Sequence, residues 1–155
     1  PRALGAANAA PMRLVTAAVV LATVSGCGGG LYDFATEPGT GQPCADLIAA
    51  VPDTVLDQTS TPVDSDRVAA WGDPRITLRC GVTTPTALEP TSRCDDVDGV
   101  GWFTEDDDST RLFTTIGREP NVSVEVPAEY EPAGAALIDV GDLVKARTRV
   151  VDPCV

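Results

Sequence analysis

Apolar residues recur along this chain at three different spacings, and each spacing predicts a different kind of segment. Residues 14–24 (LVTAAVVLATV) are an almost unbroken apolar run, preceded by Met12-Arg13 and followed by Ser25-Gly26-Cys27. From Pro43 the spacing becomes helical. Cys44, Leu47, Ile48 and Val51 fall on one face before Pro52 stops the pattern. Further on the period shortens to two: in 75–80 (RITLRC), Ile76, Leu78 and Cys80 face one way and Thr77 and Arg79 the other. Trp71-Gly72-Asp73-Pro74 is a turn, which makes 68–71 the hairpin partner of that strand.

The same alternation continues. Residues 100–104 and 111–116 flank the acidic tip Glu105-Asp106-Asp107-Asp108-Ser109, and Gly117-Arg118-Glu119-Pro120-Asn121 turns the chain into a strand at 122–126, with Val122, Val124 and Val126 on one side. A closing helix is predicted at about 133–147, interrupted at Gly141. Helix, hairpins and helix together predict an α+β domain. Its expected architecture is an antiparallel sheet of about four to five strands, with N- and C-terminal helices covering one face.

The first apolar run has another meaning. A basic start, a short apolar core and small residues before a cleavage point define a secretory signal. Residues 14–26 fall short of the roughly 20 that a membrane-spanning helix requires. Val24-Ser25-Gly26-Cys27 reads as a lipobox, so Cys27 is the expected lipidation site and the N-terminus after cleavage, carrying a diacylglyceryl anchor. Two acyl chains hold a protein on a bilayer where one does not. The expected organisation is a signal peptide at 1–26, with 1–11 a long n-region or an extension ahead of Met12. A lipid-anchored flexible tether follows at 27–42, and a single extracytoplasmic domain at 43–155. The Gly-rich tether would hold that domain about 20 Å from the membrane. Release as a secreted protein is the lesser alternative.

Charge and cysteine content agree with export. Of 155 residues, 23 are acidic and 11 basic, for a net charge of −12, and every acidic residue follows Cys27. Such a surface repels phosphate backbones, so no nucleic-acid partner is expected. Cys44, Cys80, Cys94 and Cys154 are an even set, and the chain has no histidine and no Cys-x-x-Cys pair. Disulfides are therefore expected over zinc. Four cysteines allow three pairings. The periodicity favours Cys44 to Cys80, both on apolar faces of a helix and a strand that meet, and leaves Cys94 to Cys154.

Trp71-Gly72-Asp73-Pro74-Arg75-Ile76-Thr77-Leu78-Arg79-Cys80-Gly81-Val82, then Gly99-Val100-Gly101-Trp102 and Phe113-Thr114-Thr115-Ile116-Gly117-Arg118-Glu119-Pro120, resemble actinobacterial lipoproteins of the Domain of Unknown Function 3515 family. The resemblance runs from about Cys44 to the end of the chain. It implies an exported or lipid-anchored envelope protein of high-GC Gram-positive bacteria, and carries no activity with it.

Candidate chemistry is sparse. Without histidine there is no Ser-His-Asp or Cys-His arrangement, and no nucleophile elbow, Walker loop or H-E-x-x-H occurs. No cofactor is expected. Residues 94–105 place Asp96, Asp98, Gly99 and Glu105 at EF-hand ligand and glycine positions, but Cys94 stands where the first carboxylate belongs, so no metal site is expected. Candidate ligand-binding residues are Arg79 and Arg118, which could meet an anionic ligand, and Trp71 and Trp102, which could line an apolar cleft. The expected function is a non-enzymatic binding or scaffolding module on the outer face of the cytoplasmic membrane, with an envelope protein or cell-wall partner. An envelope hydrolase using paired carboxylates is the alternative.

Overall fold

The computed structural model describes residues 34–153. Along the chain come α1 (Gly41–Ile48), β1 (Thr54–Val55), β2 (Gln58–Thr61), β3 (Val68–Trp71), β4 (Ile76–Cys80), β5 (Asp95–Val97) and β6 (Val100–Asp106). These are followed by β7 (Thr110–Thr115), β8 (Arg118–Glu119), β9 (Val122–Pro127), α2 (Ala135–Arg147) and β10 (Arg149–Val150). Eight strands form one antiparallel sheet in the order β1-β2-β3-β4-β9-β7-β6-β5, and β10 pairs separately with β8. Every pairing is antiparallel, so short turns suffice to connect most neighbours.

The sheet is about twice as wide as the four to five strands that alternation predicts, and the molecule is mostly β instead of evenly α+β. The predicted hairpin and meander are present as β3-β4 and as β6, β7 and β9. The additional strands are short and polar. β2 reads QTST and β5 reads DDV, so neither carries the alternating apolar residues that mark a half-buried strand. They pair because an ordered neighbour offers them a ladder, and their brevity blunts both edges of the sheet.

One face of the sheet is covered. α1 packs against β4, and α2 against β1, β5, β6 and β9. Cys44 and Leu47 of α1 and Ala136, Leu137, Val140 and Val144 of α2 meet Ile76, Leu78, Cys80, Val122, Val124 and Val126 from the sheet in one buried core. Trp71 and Trp102 are the two largest fully buried side chains. α2 runs through Gly141 without the predicted interruption, since packing of its apolar residues on the sheet outweighs one glycine's cost of about 1 kcal/mol.

Cys44 and Cys80 are joined, with Cα atoms 5.4 Å apart, as the facing apolar sides of α1 and β4 predict. It is the one disulfide defined among the described residues, against the two expected. The expected pairing of Cys94 with Cys154 ends on a residue outside the described ones. The expected signal peptide at 1–26 and the expected lipidation site Cys27 also lie outside them.

Residues 34–40, assigned from composition to the tether, belong instead to the folded part. Thr36 bridges to Val82, the Glu37 amide donates to the Gly81 carbonyl at 2.8 Å, and Thr40 is buried. Gly81 makes this approach possible. With φ at +77°, it carries no side chain where a Cβ would lie 2.5 Å from both Arg67 Nη1 and Thr40 Oγ1.

Candidate functional site

The sheet face away from the helices is polar, because period-two alternation that turns valines inward turns their neighbours outward. Register lines these neighbours up in rows. Thr77 stands opposite Glu125, Glu125 opposite Leu112, and Leu112 opposite Glu105. In the adjacent row Arg79 is opposite Ser123, Ser123 opposite Thr114, and Thr114 opposite Phe103. The 34–36 segment and the turn at 82–86 rise beside these rows and complete a groove of about 310 Å³, lined among others by Phe34, Arg79, Pro85, Glu105, Leu112 and Thr114.

Arg79 is the centre of this face. Its Nη1 donates to Glu125 Oε2 at 2.7 Å, and Phe34 lies over the guanidinium with its ring centre 5.8 Å away. Its Nε is buried and makes no hydrogen bond. Thr77 Oγ1, in the neighbouring row, is likewise buried and without a partner. Thr114 and Ser123 are 2% and 4% exposed, and their hydroxyls make no side-chain hydrogen bond among the described residues. Buried polar groups in folded proteins are nearly always bonded. Among the described residues that line the groove, Arg79 alone has a buried polar atom without a partner.

The remaining sequence candidates are placed elsewhere. Arg118 is 8% exposed and donates to Thr148 Oγ1 and the Gly99 carbonyl, both at 3.1 Å, which ties the C-terminal end of α2 to the β5-β6 turn. The negative end of the helix favours a cation there. Trp71 is fully buried and donates from Nε1 to the Pro52 carbonyl at 2.9 Å, whereas Trp102 is fully buried with Nε1 unbonded. Arg79 alone of the four lines the groove. Of the two carboxylates in the Thr77 row, Glu125 is tied to Arg79, and Glu105 has no salt bridge among the described residues.

The acidic segment at 94–105 is a hairpin. β5 and β6 flank a turn at Asp98-Gly99, where Asp96 Oδ1 accepts from the Gly99 amide at 3.0 Å. Glu105 lies farther along β6 and lines the groove. Among the described residues no group of three or more potential ligands is arranged to hold a metal ion. At the opposite end of β6, Asp107 accepts from the Ser109 hydroxyl, the Ser109 amide and the Thr110 amide, which hold its carboxyl down at about 2.

Sequence reasoning found Arg79 through alternation in β4. It missed Thr114, Ser123 and the Phe34 wall. Alternation also marks Ser123 as outward, between Val122 and Val124, but joining it to Arg79 requires knowing that β9 lies beside β4.

An antiparallel sheet with both helices on one face and a polar groove on the other defines the class of this protein: a small, mostly β domain with one helix-free, polar sheet face. Residues 9–152 match the family described as Protein of unknown function (DUF3515), and the chain belongs to that family. Comparison with curated proteins and with solved structures gives no match. Among the described residues no helix is long and apolar enough to cross a membrane.

Proposed function

We propose that this chain is a lipid-anchored, non-enzymatic binding module of the cell envelope, which holds its ligand on the helix-free sheet face. The observation that carries the reading is the groove floor, where Thr114 and Ser123 line an open groove beside Arg79, whose Nε is buried without a partner. A fixed set of donors and acceptors beside an apolar wall suits orientation of a ligand. A paired-carboxylate hydrolase would require Glu125 to leave Arg79, so binding is the better supported reading.

Anchoring follows from the lipobox at Cys27. Phe34 forms part of the groove wall, and the chain between Cys27 and Phe34 reaches at most about 25 Å when extended. A diacylglyceryl group on Cys27 would therefore keep the groove close to the outer membrane surface, where envelope ligands are concentrated. The Cys27→Ser variant is expected to lose metabolic acyl label and to leave the membrane fraction on detergent-free extraction. An unchanged lipid-labelled band would overturn the anchoring.

A further inference from the structure

The groove has a chemistry narrower than binding in general. Arg79 and Glu125 neutralise one another at 2.7 Å, which leaves Glu105 as the net charge on the lining. An anionic ligand would face that carboxylate as well as a protein of net charge −12. A strongly cationic one would gain Glu105 alone, since Glu125 is already held by Arg79. What the lining offers is a set of neutral hydroxyls. Thr114 and Ser123 stand on adjacent strands beside Arg79, and Thr83 and Thr86 are exposed on the rim. Leu112, Val82 and Pro85 supply apolar contact between them.

Alternating donors and acceptors at strand spacing, about 4.8 Å apart, combined with small apolar surfaces, match a molecule that carries hydroxyls around a ring and C–H groups on its faces. Building on the groove as a ligand site, we propose that it takes a neutral saccharide unit. The exposed edge of the Arg79 guanidinium and the Ser123 and Thr114 hydroxyls bond ring hydroxyls, Glu105 accepts from another, and Leu112 meets a ring face. The open side of the groove lets a sugar chain continue beyond it.

The test is a titration of the isotope-labelled full chain, in zwitterionic detergent, with three trisaccharide probes followed by NMR. Chitotriose is neutral and carries hydroxyl and acetamido groups; trigalacturonate is its anionic counterpart and chitosan trimer its cationic one. Saturable shifts with chitotriose, centred on the amides of Thr114, Ser123 and Arg79, are expected. Ser123→Ala and Thr114→Val, which remove one hydroxyl each, should each weaken binding about tenfold, the effect of one lost hydrogen bond to a neutral group. The two variants are independent, so misfolding of one leaves the other to decide. Shifts outside the groove, no saturable shift at millimolar chitotriose, or preference for either charged trimer would overturn the saccharide proposal. Groove shifts with a charged trimer would leave the groove as a ligand site. Silence toward all three probes, together with absence of any photo-crosslink from groove residues in the native envelope, would remove that reading as well.

Discussion

Asp107 shows how a single exposed side chain can fix a turn. Its carboxylate accepts from Ser109 and Thr110 across the β6-β7 turn, and these bonds are stronger to the ionised form and favour it. Because the carboxyl in the folded chain lies at about 2, below its ordinary 3.8, the contribution to folding is fully present above the ordinary value and is lost as pH falls through about 2. A carboxyl-detected NMR titration should give Asp107 a midpoint near 2. Removing the largest bond, in Ser109→Ala, should move that midpoint upward. An Asp107 that titrates in the ordinary carboxylate range in the parent chain would contradict this account of the turn.

Among the elements, α1 and β4 are joined covalently. The Cys44–Cys80 bond closes a sequence separation of 36, which restricts the unfolded chain by an amount corresponding to about 3–4 kcal/mol. Replacing both cysteines by alanine should lower the urea midpoint and steepen the transition, because the unfolded chain is no longer held compact. An unchanged midpoint would show that the helix is held by packing alone. This join was legible in the sequence, because Cys44 lies in phase with Leu47 and Cys80 with Leu78. β1, β2 and β5 were not legible. Their residues are few and mostly polar, and they become strands only beside neighbours the chain reaches later or from farther away. The 34–40 segment was misread for a related reason. Gly39 and Gly41 suggest a loose linker, but Gly81 opens the space that lets Thr40 and Arg67 bond at 2.9 Å and hold the segment on the sheet.

At the scale of the whole molecule, the two faces of the sheet differ in make-up. Helices and core residues occupy one side of the sheet, so stability is concentrated there, and the other side is free to carry polar groups with unmet bonds. Charge follows the same division. Acidic residues at the surface repel polyanions, whereas the groove holds a neutralised Arg79–Glu125 pair. The chain's membership of a family of unknown function adds no activity to this picture, so the groove itself must be tested in place. The most direct measurement is site-specific photo-crosslinking in the native envelope, with the probe at Thr86 on the groove rim or at Ile138, which is 59% exposed on α2. A discrete adduct from Thr86 that is weakened by Ser123→Ala, and none from Ile138, is expected. Equal labelling from the two positions, or adducts from Ile138 alone, would contradict ligand binding in the groove.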